Sequence, residues 1–599
     1  MPEGTEMLRC CRCVAVVVSA LFLVTGAHAI ELARNGGPRA VIVLARDATA
    51  PEAHAAAELQ SFIEQVTGAR LPIVGKTVDL PMILVGCDAA RMVDPAFSIG
   101  DLGTDGVRLL SKGRDLIVAG GRPRGTLYAV YTLLEDYVGC RWWAPGACTI
   151  PKKPDLSLGS IDLRYVPQFE LREPYWHSAF DRDWAVRNKT LSNTARLDDQ
   201  VGGKPAVAHI HHSLQYLIPA KRYFQEHPEW FSEVDGKRIA ERGQLCLSNQ
   251  EMVKEVTGNV LANLRQRPNT TSVSVAQNDG GMPCKCAKCR AIDEEEGSPS
   301  GAILRFVNAV AEEVGKEFPN VVISTFAYTY SEAPPKITKP RSNVLVWLCT
   351  MNASYNLPLN GCKRNAGFAE HLAGWSKLTD RLYVWDYVTN FRHYLFIHPN
   401  LRVLGPNIRF FAANNVKGVF EQGASETPGA EMMELRAWVL AKLLWNPQLD
   451  DNRLINEFLN GYYGHGGKHI RAYIDVIHDI NQQVGQPLGC YEEPNRRFMD
   501  PVILAQAWKH MQRAAAAVSG DADLTRRVRA AQMPLMYAYM VRWSEMRDKA
   551  RAQMADWPVG EDPYALLADY KTRAAEIGIV AASEQERFTK LEEKLKLPK

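Results

Sequence analysis

Short apolar segments alternate with helical or loop stretches between about residues 167 and 423, and this alternation constrains the fold more than any other feature of the chain. Strands separated by helices predict βα units and a parallel sheet. Eight segments have strand character: 169–175, 206–211, 244–247, 271–276, 321–328, 343–349, 381–385 and 418–420. Eight strands in about 255 residues predict an α/β fold with a central (β/α)8 TIM-like barrel. The helical signals after the sixth and seventh strands are weak, so the closure of this barrel is an inference.

The chain extends on both sides of the predicted barrel, and 599 residues are too many for a single core. Residues 30–163 combine apolar runs with one helical pattern, which is typical of a small α/β domain. After residue 426 the pattern is almost wholly helical. We therefore predict a signal peptide (1–29), a small α/β domain (30–163), the barrel (164–425) and an all-helical C-terminal domain (426–599).

The first 29 residues have the pattern of a secretory signal peptide. Arg9 and Arg12 precede an apolar run at 14–24, and Ala27-His28-Ala29 forms a small-x-small cleavage site. The apolar run is too short to span a bilayer, and no later segment approaches that length. We expect cleavage after Ala29 and a mature protein that is secreted or periplasmic, without a membrane span.

The charge balance argues against partners that need a strongly charged surface. The chain has 70 Lys and Arg residues against 67 Asp and Glu residues, with a net charge of +3. Because no basic block interrupts this balance, we expect no binding to nucleic acid.

The fourth predicted strand ends in a polar tip, Gln277-Asn278-Asp279, followed by Gly280-Gly281. In a (β/α)8 barrel the chemistry gathers at the carboxyl ends of the strands. An amide and a carboxylate at such an end, before a glycine-rich turn, favour an active-site position. The alternative for Asp279 is a simple turn cap.

The other predicted strand ends are also polar and aromatic. Aromatic faces stack on sugar rings, and amides or guanidinium groups bind hydroxyls. Glycoside cleavage needs one carboxyl group as acid and a second group that acts from the other side. We predict Asp279, Glu421 and Asp386 as catalytic residues. The predicted substrate-binding residues are Arg172, Trp176, His209, His211, Asn278, Tyr328, Trp385 and Asn390.

Two groups of possible metal ligands stand near these positions. His209 and His211 share one face of a strand, as in barrel metallohydrolases, but the later strand ends lack further histidines, so no catalytic metal is predicted. Cys284, Cys286 and Cys289 offer three ligands at short spacing. Because a structural zinc needs a fourth ligand and none stands nearby in sequence, zinc is possible there but not favoured over a disulfide. We predict no cofactor.

Two sets of motifs resemble known glycosidases. The segment "RGTLYAVYTLLEDYVGCRWWAPG" is similar to the end of the small domain that precedes the barrel in β-hexosaminidases and α-glucuronidases. The segments "AQNDGGMPCKCAKCRAIDEEEGSPSG", "RLYVWDYVTNF" and "NIRFFAANNVKGVFEQG" resemble bacterial proteins with the domain of unknown function 4838. That group includes glycoside hydrolase family 163, endo-β-N-acetylglucosaminidases of complex N-glycans.

The resemblance implies a retaining enzyme that uses the 2-acetamido group of its glycan or glycoprotein substrate as nucleophile. Such an enzyme needs one group that orients the acetamide and one acid that protonates the leaving oxygen. Asn278-Asp279 lies at the end of the fourth strand, where hexosaminidases have adjacent Asp and Glu residues, but the residue types differ. The resemblance therefore implies Asp279 as orienter or acid and Glu421 as the other carboxyl group. "PQFELR" resembles the first hexosaminidase strand and implies that Arg172 holds sugar hydroxyls.

Two other functions remain open from the sequence. One is an exo-acting glycosidase such as a hexosaminidase or an α-glucuronidase. The other is a non-catalytic glycan-binding protein that has kept the barrel.

Overall fold

The structure is a computed structural model that describes residues 29–208, 211–595 and 597–598. The predicted signal peptide up to His28 and the predicted site residue His209 lie outside the described residues. Among the described residues, no helix is both long enough and apolar enough to cross a membrane.

The region before the barrel contains eleven short strands and three α-helices within its described residues. The strands are β1 (Ile30–Arg34), β2 (Gly37–Pro38), β3 (Val41–Leu44), β4 (Ile73–Val74), β5 (Met82–Val85), β6 (Val107–Lys112), β7 (Asp115–Gly120), β8 (Arg141–Ala144), β9 (Ala147–Thr149), β10 (Leu156–Leu158) and β11 (Asp162–Tyr165). The helices are α1 (Ala50–Thr67), α2 (Cys87–Arg91) and α3 (Gly125–Thr132). Six of the strands form one sheet in the order β11-β6-β7-β5-β3-β4.

Helix α1 carries capping signals at both of its ends. Thr49 and Glu52 form a capping box at its start, and Gly68 ends it in the left-handed conformation with φ 82°. Its apolar face is buried against the sheet because its apolar residues recur every three or four positions.

The central region is built on a curled, wholly parallel sheet. The strands of the region are β12 (Leu171–Tyr175), β13 (Val207–Ala208), β14 (Glu233–Val234), β15 (Lys237–Arg238), β16 (Ser272–Ser274), β17 (Val322–Ala327), β18 (Val344–Cys349), β19 (Leu382–Tyr387) and β20 (Gly418–Gln422). Seven of them pair in the order β12-β20-β19-β18-β17-β16-β13, which is consistent with a TIM-like barrel. The helices are α4 (Arg182–Arg187), α5 (Leu214–Leu217), α6 (Ala220–Tyr223), α7 (Gln250–Gln266), α8 (Ala287–Glu296), α9 (Ser300–Glu317), α10 (Ala366–Trp375) and α11 (Leu401–Ala413).

The described sheet has seven strands and not the eight that the sequence predicts. The predicted strand 244–247 lies outside it, where Leu245 makes a single antiparallel bridge to Phe231. Its residues are buried in two other settings: Leu245 belongs to the main apolar core, and Cys246 packs among other cysteines. At the β12 edge, Leu191 forms an antiparallel bridge to Arg172.

The two faces of the curled sheet carry different side chains. Trp385 of β19 contacts Phe326 of β17, with ring centroids 5.6 Å apart, although β18 lies between these strands. Such a contact is possible only across the concave face. Because side chains alternate along a strand, Trp385, Tyr387, Phe420 and Gln422 lie on the concave face. Their neighbours Asp386 and Glu421 lie on the convex face.

The region after β20 is helical. Its helices are α12 (Met433–Trp445), α13 (Asp451–Tyr463), α14 (Gly467–Val484), α15 (Pro501–Ala517), α16 (Ala522–Met540), α17 (Trp543–Ala552), α18 (Pro563–Ile577) and α19 (Leu591–Lys594). Two of its loops reach the carboxyl rim of the sheet. The Phe391 N–H donates to the Cys490 carbonyl at 2.7 Å, and the Glu584 N–H donates to the Phe391 carbonyl at 2.9 Å. The helical region therefore contributes residues to the rim.

A buried ion cluster joins all three regions. Glu135, in the π-helical turn Leu133–Val138, accepts a bond from the Lys189 ammonium at 2.6 Å and another from Lys442 of α12. Burial opposes the charge of Glu135, but the two lysines outweigh it and lower its pKa to about 2.

Candidate functional site

Asp279 lies at the carboxyl rim of the curled sheet, five residues after the end of β16. The Tyr328 hydroxyl donates to its Oδ1 at 3.1 Å, and the His212 Nε2 lies 3.6 Å from the same oxygen. The Asp279 side chain is 72% exposed, so it is open to a ligand. Burial lowers the pKa of His212, which favours a neutral imidazole beside this carboxylate.

The loop that carries Asp279 is held by one buried amide. Gln244 Oε1 accepts from the Asn278 N–H at 2.8 Å, and its Nε2 donates to the Asn278 carbonyl at 2.9 Å. The Asn278 Nδ2 donates to the Gly243 carbonyl at 3.0 Å, whereas its buried Oδ1 has no protein partner. Asn278 thus fixes the turn before Asp279.

Two further carboxylates at the rim are also bound by tyrosine hydroxyls. Tyr394 donates to Glu426 Oε2 at 2.6 Å, and Tyr491 donates to Glu584 Oε2 at 2.6 Å. Burial raises the pKa of Glu584, and the negative charges of Glu426 and Asp279 raise it further, against the Tyr491 hydrogen bond, which lowers it. Asp279 and Glu426 therefore lie close enough to Glu584 for their charges to act on it, and we call these three carboxyl groups the rim carboxylates.

Sequence reasoning missed Glu426, Glu584 and Tyr491. Glu426 lies four residues beyond β20, at the predicted start of the helical domain. Glu584 lies in the segment between α18 and α19, more than 150 residues from the last strand, and no local motif marks it. Only the docking of this segment onto the rim places it in the site.

Aromatic and polar side chains form the floor below the rim carboxylates. Trp385 packs against Phe420, with ring centroids 4.2 Å apart, and its Nε1 donates to Gln422 at 2.7 Å. His211 contacts the edge of Trp385 at 5.5 Å. The predicted binding residues Tyr328, Trp385 and His211 therefore converge on the concave face with Asp279 and Asn278.

Glu173 is a further concave-face carboxyl group that sequence reasoning missed. It is buried on β12, one residue from Arg172, and its Oε1 accepts from the Ser192 hydroxyl at 2.5 Å. Burial raises the pKa of Glu173, and its Oε2 has no protein partner. The alternation of the strand would have predicted its face, because Tyr175 is two residues away.

Asp386 and Glu421 do not join the rim carboxylates. They are register partners on neighbouring strands, are 3% and 1% exposed, and lie on the convex face toward the helices. Burial raises the pKa of both, to about 6 for Asp386, and the negative charge of Asp386 adds to the rise for Glu421. Strand alternation places both on the face opposite Trp385, and their predicted catalytic roles stay predictions.

Three predicted binding residues have structural positions instead. The Arg172 guanidinium faces the first region, where it bonds Asp105 at 2.5 Å. Trp176 is fully buried beneath Gly423, where a Cβ would lie 2.1 Å from its ring. Asn390 is 1% exposed and its Nδ2 donates to the Glu492 carbonyl at 2.9 Å. These contacts leave none of the three free to bind a sugar, so their predicted roles are corrected.

The three cysteines of the strand-four loop meet a fourth. Cys246 lies 3.8 Å from Cys286 and 3.8 Å from Cys289, measured between the sulfur atoms. Together with Cys284, these four thiols form the one group of metal-capable side chains found among the described residues. The fourth cysteine was missed because it lies 38 residues before Cys284 in the sequence.

The arrangement of the rim carboxylates suits acid–base chemistry on a polar substrate. Glu584 has a raised pKa and can hold a proton, whereas Asp279 receives a hydrogen bond from the neutral Tyr328 hydroxyl. Two carboxyl groups with different environments around one opening can divide the roles of acid and charge stabiliser.

Residues 142–475 match the family described as "Domain of unknown function (DUF4838)", which is more than half of the chain. The chain belongs to the DUF4838 family. A comparison with curated proteins found no match to this DUF4838 protein.

Solved structures with a similar architecture include a family GH115 4-O-methyl-α-glucuronidase, BtGH115A, described as specific for decorated arabinogalactans. It has 13% sequence identity and a TM-score of 0.53, and the alignment covers 90% of the DUF4838 protein and 77% of that chain. At this identity the similarity concerns the fold alone.

Two weaker similarities have TM-scores below 0.5. A GH138 enzyme targeting pectin rhamnogalacturonan II has 11% identity and a TM-score of 0.44, with 91% of this chain and 94% of that chain covered. A mutant Streptomyces plicatus β-hexosaminidase in complex with GlcNAc has 12% identity and a TM-score of 0.40, with 72% and 91% covered.

Proposed function

We propose that this DUF4838 protein is an exported glycoside hydrolase that cleaves β-N-acetylglucosaminide linkages inside glycans, with retention and with help from the 2-acetamido group of the substrate. The observation that carries this proposal is the set of rim carboxylates above an aromatic floor. Carboxyl groups that flank a scissile bond are what glycoside cleavage requires. The signal-peptide pattern of residues 1–29 supports export.

Glu584 is the proposed acid. Its raised pKa favours the protonated carboxyl group, and this proton passes to the leaving glycosidic oxygen as the C1–O bond breaks. The acetamide oxygen of the substrate forms the new bond to C1. Water then attacks C1, returns the acetamide to its original form and gives its proton to the Glu584 carboxylate.

Asp279 is the proposed acetamide orienter. As a carboxylate it accepts the acetamide N–H and stabilises the positive charge that develops on the acetamide during attack. The Tyr328 hydroxyl holds one carboxylate oxygen, and Gln244 fixes the loop behind it. This role replaces the pairing of Asp279 with Glu421 that the sequence implied.

The charge and openness of the site support a neutral, extended substrate. A uronic acid would bring a negative charge toward the rim carboxylates, and repulsion would weaken its binding. Asp279 is 72% exposed and Tyr491 is 41% exposed, so the rim leaves room for a glycan on both sides of the cleaved bond. Both features favour an endo-acting enzyme of acetamido sugars over an α-glucuronidase.

A release assay on glycoproteins with complex N-glycans tests the proposal. We expect released glycan from the wild type, and a loss of about 10²–10⁴ in kcat/KM for Asp279→Asn and for Glu584→Gln. Glu586→Gln is the matched control, because Glu586 lies on the same segment but pairs with Lys594. Full activity of both site variants would reject the assignment of these residues.

A panel of chromogenic aryl sugars separates the alternatives. Hydrolysis of aryl N-acetylglucosaminide without glycan release would indicate an exo-acting hexosaminidase, and hydrolysis of aryl glucuronide would indicate a glucuronidase. Binding of glycans without turnover of any substrate would indicate a non-catalytic protein. Turnover of an analogue with a 2-hydroxyl in place of the acetamide would reject substrate assistance.

A further inference from the structure

Four buried thiols lie together beside the Asp279 loop. The sulfur atoms of Cys246, Cys284, Cys286 and Cys289 all lie within 4.8 Å of one another, and each residue is at most 8% exposed. Cys284 and Cys286 precede α8, Cys289 lies in its first turn, and Cys246 comes from the segment before α7. All four are free cysteines.

The spacing of these sulfur atoms matches a metal site better than a disulfide. Four thiolates at the usual Zn–S distance of about 2.3 Å form a tetrahedron with edges of about 3.8 Å. Cys246 lies 3.8 Å from both Cys286 and Cys289. A disulfide would require a sulfur separation of about 2.05 Å, which neither of these pairs has.

We propose that these four cysteines bind one structural zinc ion. Four thiolates in a tetrahedron form a closed site for a d¹⁰ cation, with no open position for a substrate or water. The sequence offered only three ligands at C-x-C-x-x-C spacing, and Cys246 supplies the fourth.

The surroundings of the four thiols suit a negatively charged thiolate centre. The Glu233 N–H donates to Cys284 Sγ at 3.4 Å, and the Arg238 guanidinium lies 3.6 Å from the same sulfur. The Ser248 hydroxyl lies 3.2 Å from Cys289 Sγ. Such outer contacts offset the charge of the thiolates and orient them.

The zinc site ties together the two segments that hold the candidate active site. Gln244, two residues before Cys246, bonds the backbone of Asn278 and approaches the Gly281 carbonyl at 3.3 Å. On the other side, the Lys285 N–H donates to the Glu233 carbonyl at 2.7 Å. Zinc binding therefore fixes the loop 278–286 relative to the segment 231–246, and it acts on Asp279 as a positioning element.

Elemental analysis of the full-length wild-type protein, purified without chelators, tests the site directly. We expect one zinc per chain, lost in Cys246→Ser and in Cys289→Ser. The controls Cys148→Ser and Cys362→Ser lie outside the four thiols and should keep the zinc. Zinc below a tenth of the protein concentration, or iron in its place, would overturn the proposal.

Thiol chemistry on the wild type keeps the proposal testable if the serine variants do not fold. We expect a non-reduced mass without disulfides, and release of zinc when a mercurial reagent modifies the thiols. A mass four hydrogens lower, lost on reduction, would reveal two disulfides and reject zinc.

The positioning role rests on the proposed function and has its own readout. Removal of zinc should lower the melting temperature whether or not the protein is a glycosidase. If the enzyme is active, the same treatment should lower kcat/KM by at least tenfold, and added zinc should restore it. If removal of zinc lowers the melting temperature but the protein never shows turnover, the zinc site is supported and the proposed function is rejected.

Discussion

Glu135 and Glu421 are both buried glutamates, yet their surroundings shift their pKa values in opposite directions. Burial raises the pKa of each. At Glu135 the ammonium groups of Lys189 and Lys442 reverse this effect and lower the pKa to about 2. At Glu421 the charge of another acid, Asp386, adds to the rise. Glu135 is 6% exposed and Glu421 is 1% exposed, so the extent of burial does not distinguish the two residues.

The contrast assigns the two glutamates different functions in the fold. Glu135 is an ionised group that joins three regions of the chain, and its charge is needed where it lies. Glu421 and Asp386 are protonated more readily, and they lie together on the convex face without a cation among their described contacts. At Glu584 on the rim, effects of both directions act on the pKa, because a tyrosine hydroxyl offsets part of the rise caused by burial and by like charges.

The first prediction tests the need for the Glu135 charge. Glu135→Gln leaves two buried lysines without a counter-charge, so we expect a loss of about 3–5 kcal/mol in the free energy of unfolding. The midpoint of urea-induced unfolding measures it. Glu457→Gln is the control, because its pair with Arg141 is partly exposed and should contribute about 1 kcal/mol or less. Equal effects of the two variants would contradict a buried ion cluster.

The second prediction uses pH to titrate the same group. The folded-state pKa of Glu135, about 2, lies below its ordinary value, so its stabilising contribution is present above pH 4.5 and is lost as pH falls toward 2. At about 1.4 kcal/mol per unit, the advantage of the wild type over Glu135→Gln should shrink by roughly 3 kcal/mol across this window. Thermal unfolding at pH 6 and at pH 3 measures about 2 kcal/mol of this change, because pH 3 lies about 1.5 units below the ordinary pKa. A difference that stays constant would show that another group carries the effect.

The third prediction concerns the opposite case, Glu421. Its folded-state pKa is raised, so its contribution is full below its ordinary pKa and is lost as pH rises toward the folded value. Glu421→Gln mimics the protonated acid. We expect it to change the unfolding free energy by less than about 1 kcal/mol at pH 4 and to become relatively more stable at higher pH.

Activity supplies the sharper contrast for Glu421. Because this residue lies on the convex face, Glu421→Gln should keep kcat/KM within a few-fold of the wild type, whereas Asp279→Asn should not. A loss as large as that of Asp279→Asn would return Glu421 to the catalytic set and reject the separation of the two faces.

The strands that are buried on both faces of the sheet are those that the sequence predicted well. Buried parallel strands are continuous apolar runs, and 321–328, 343–349 and 381–385 correspond to β17, β18 and β19. The segment 244–247 has the same apolar character, but its cysteine packs with distant cysteines, and a short run does not reveal its partner. A local sequence pattern therefore predicts that a segment is buried, but it does not predict which segment of the chain packs against it.

The candidate site was predicted in part for the same reason. Asp279, Tyr328 and Trp385 were found because they lie at strand ends. Asp386 and Glu421 were also predicted from their places at strand ends, and their alternation with Trp385 and Phe420 places them on the other face of the sheet. Cys246 and Glu584 had no sequence signal, because each reaches the site through contacts between distant segments of the chain.

The last prediction has the smallest effect and tests Glu584 as an acid. The Tyr491 hydroxyl lowers the pKa of Glu584, so Tyr491→Phe should raise that pKa. An acid that must be protonated then works to higher pH, and the alkaline limb of the kcat/KM profile should move upward with only a few-fold change at the optimum. Tyr564→Phe is the control, because this exposed tyrosine bonds the Pro598 carbonyl in the helical region. If the alkaline limb moves downward or does not move, Glu584 does not supply the proton and its rim position serves substrate binding instead.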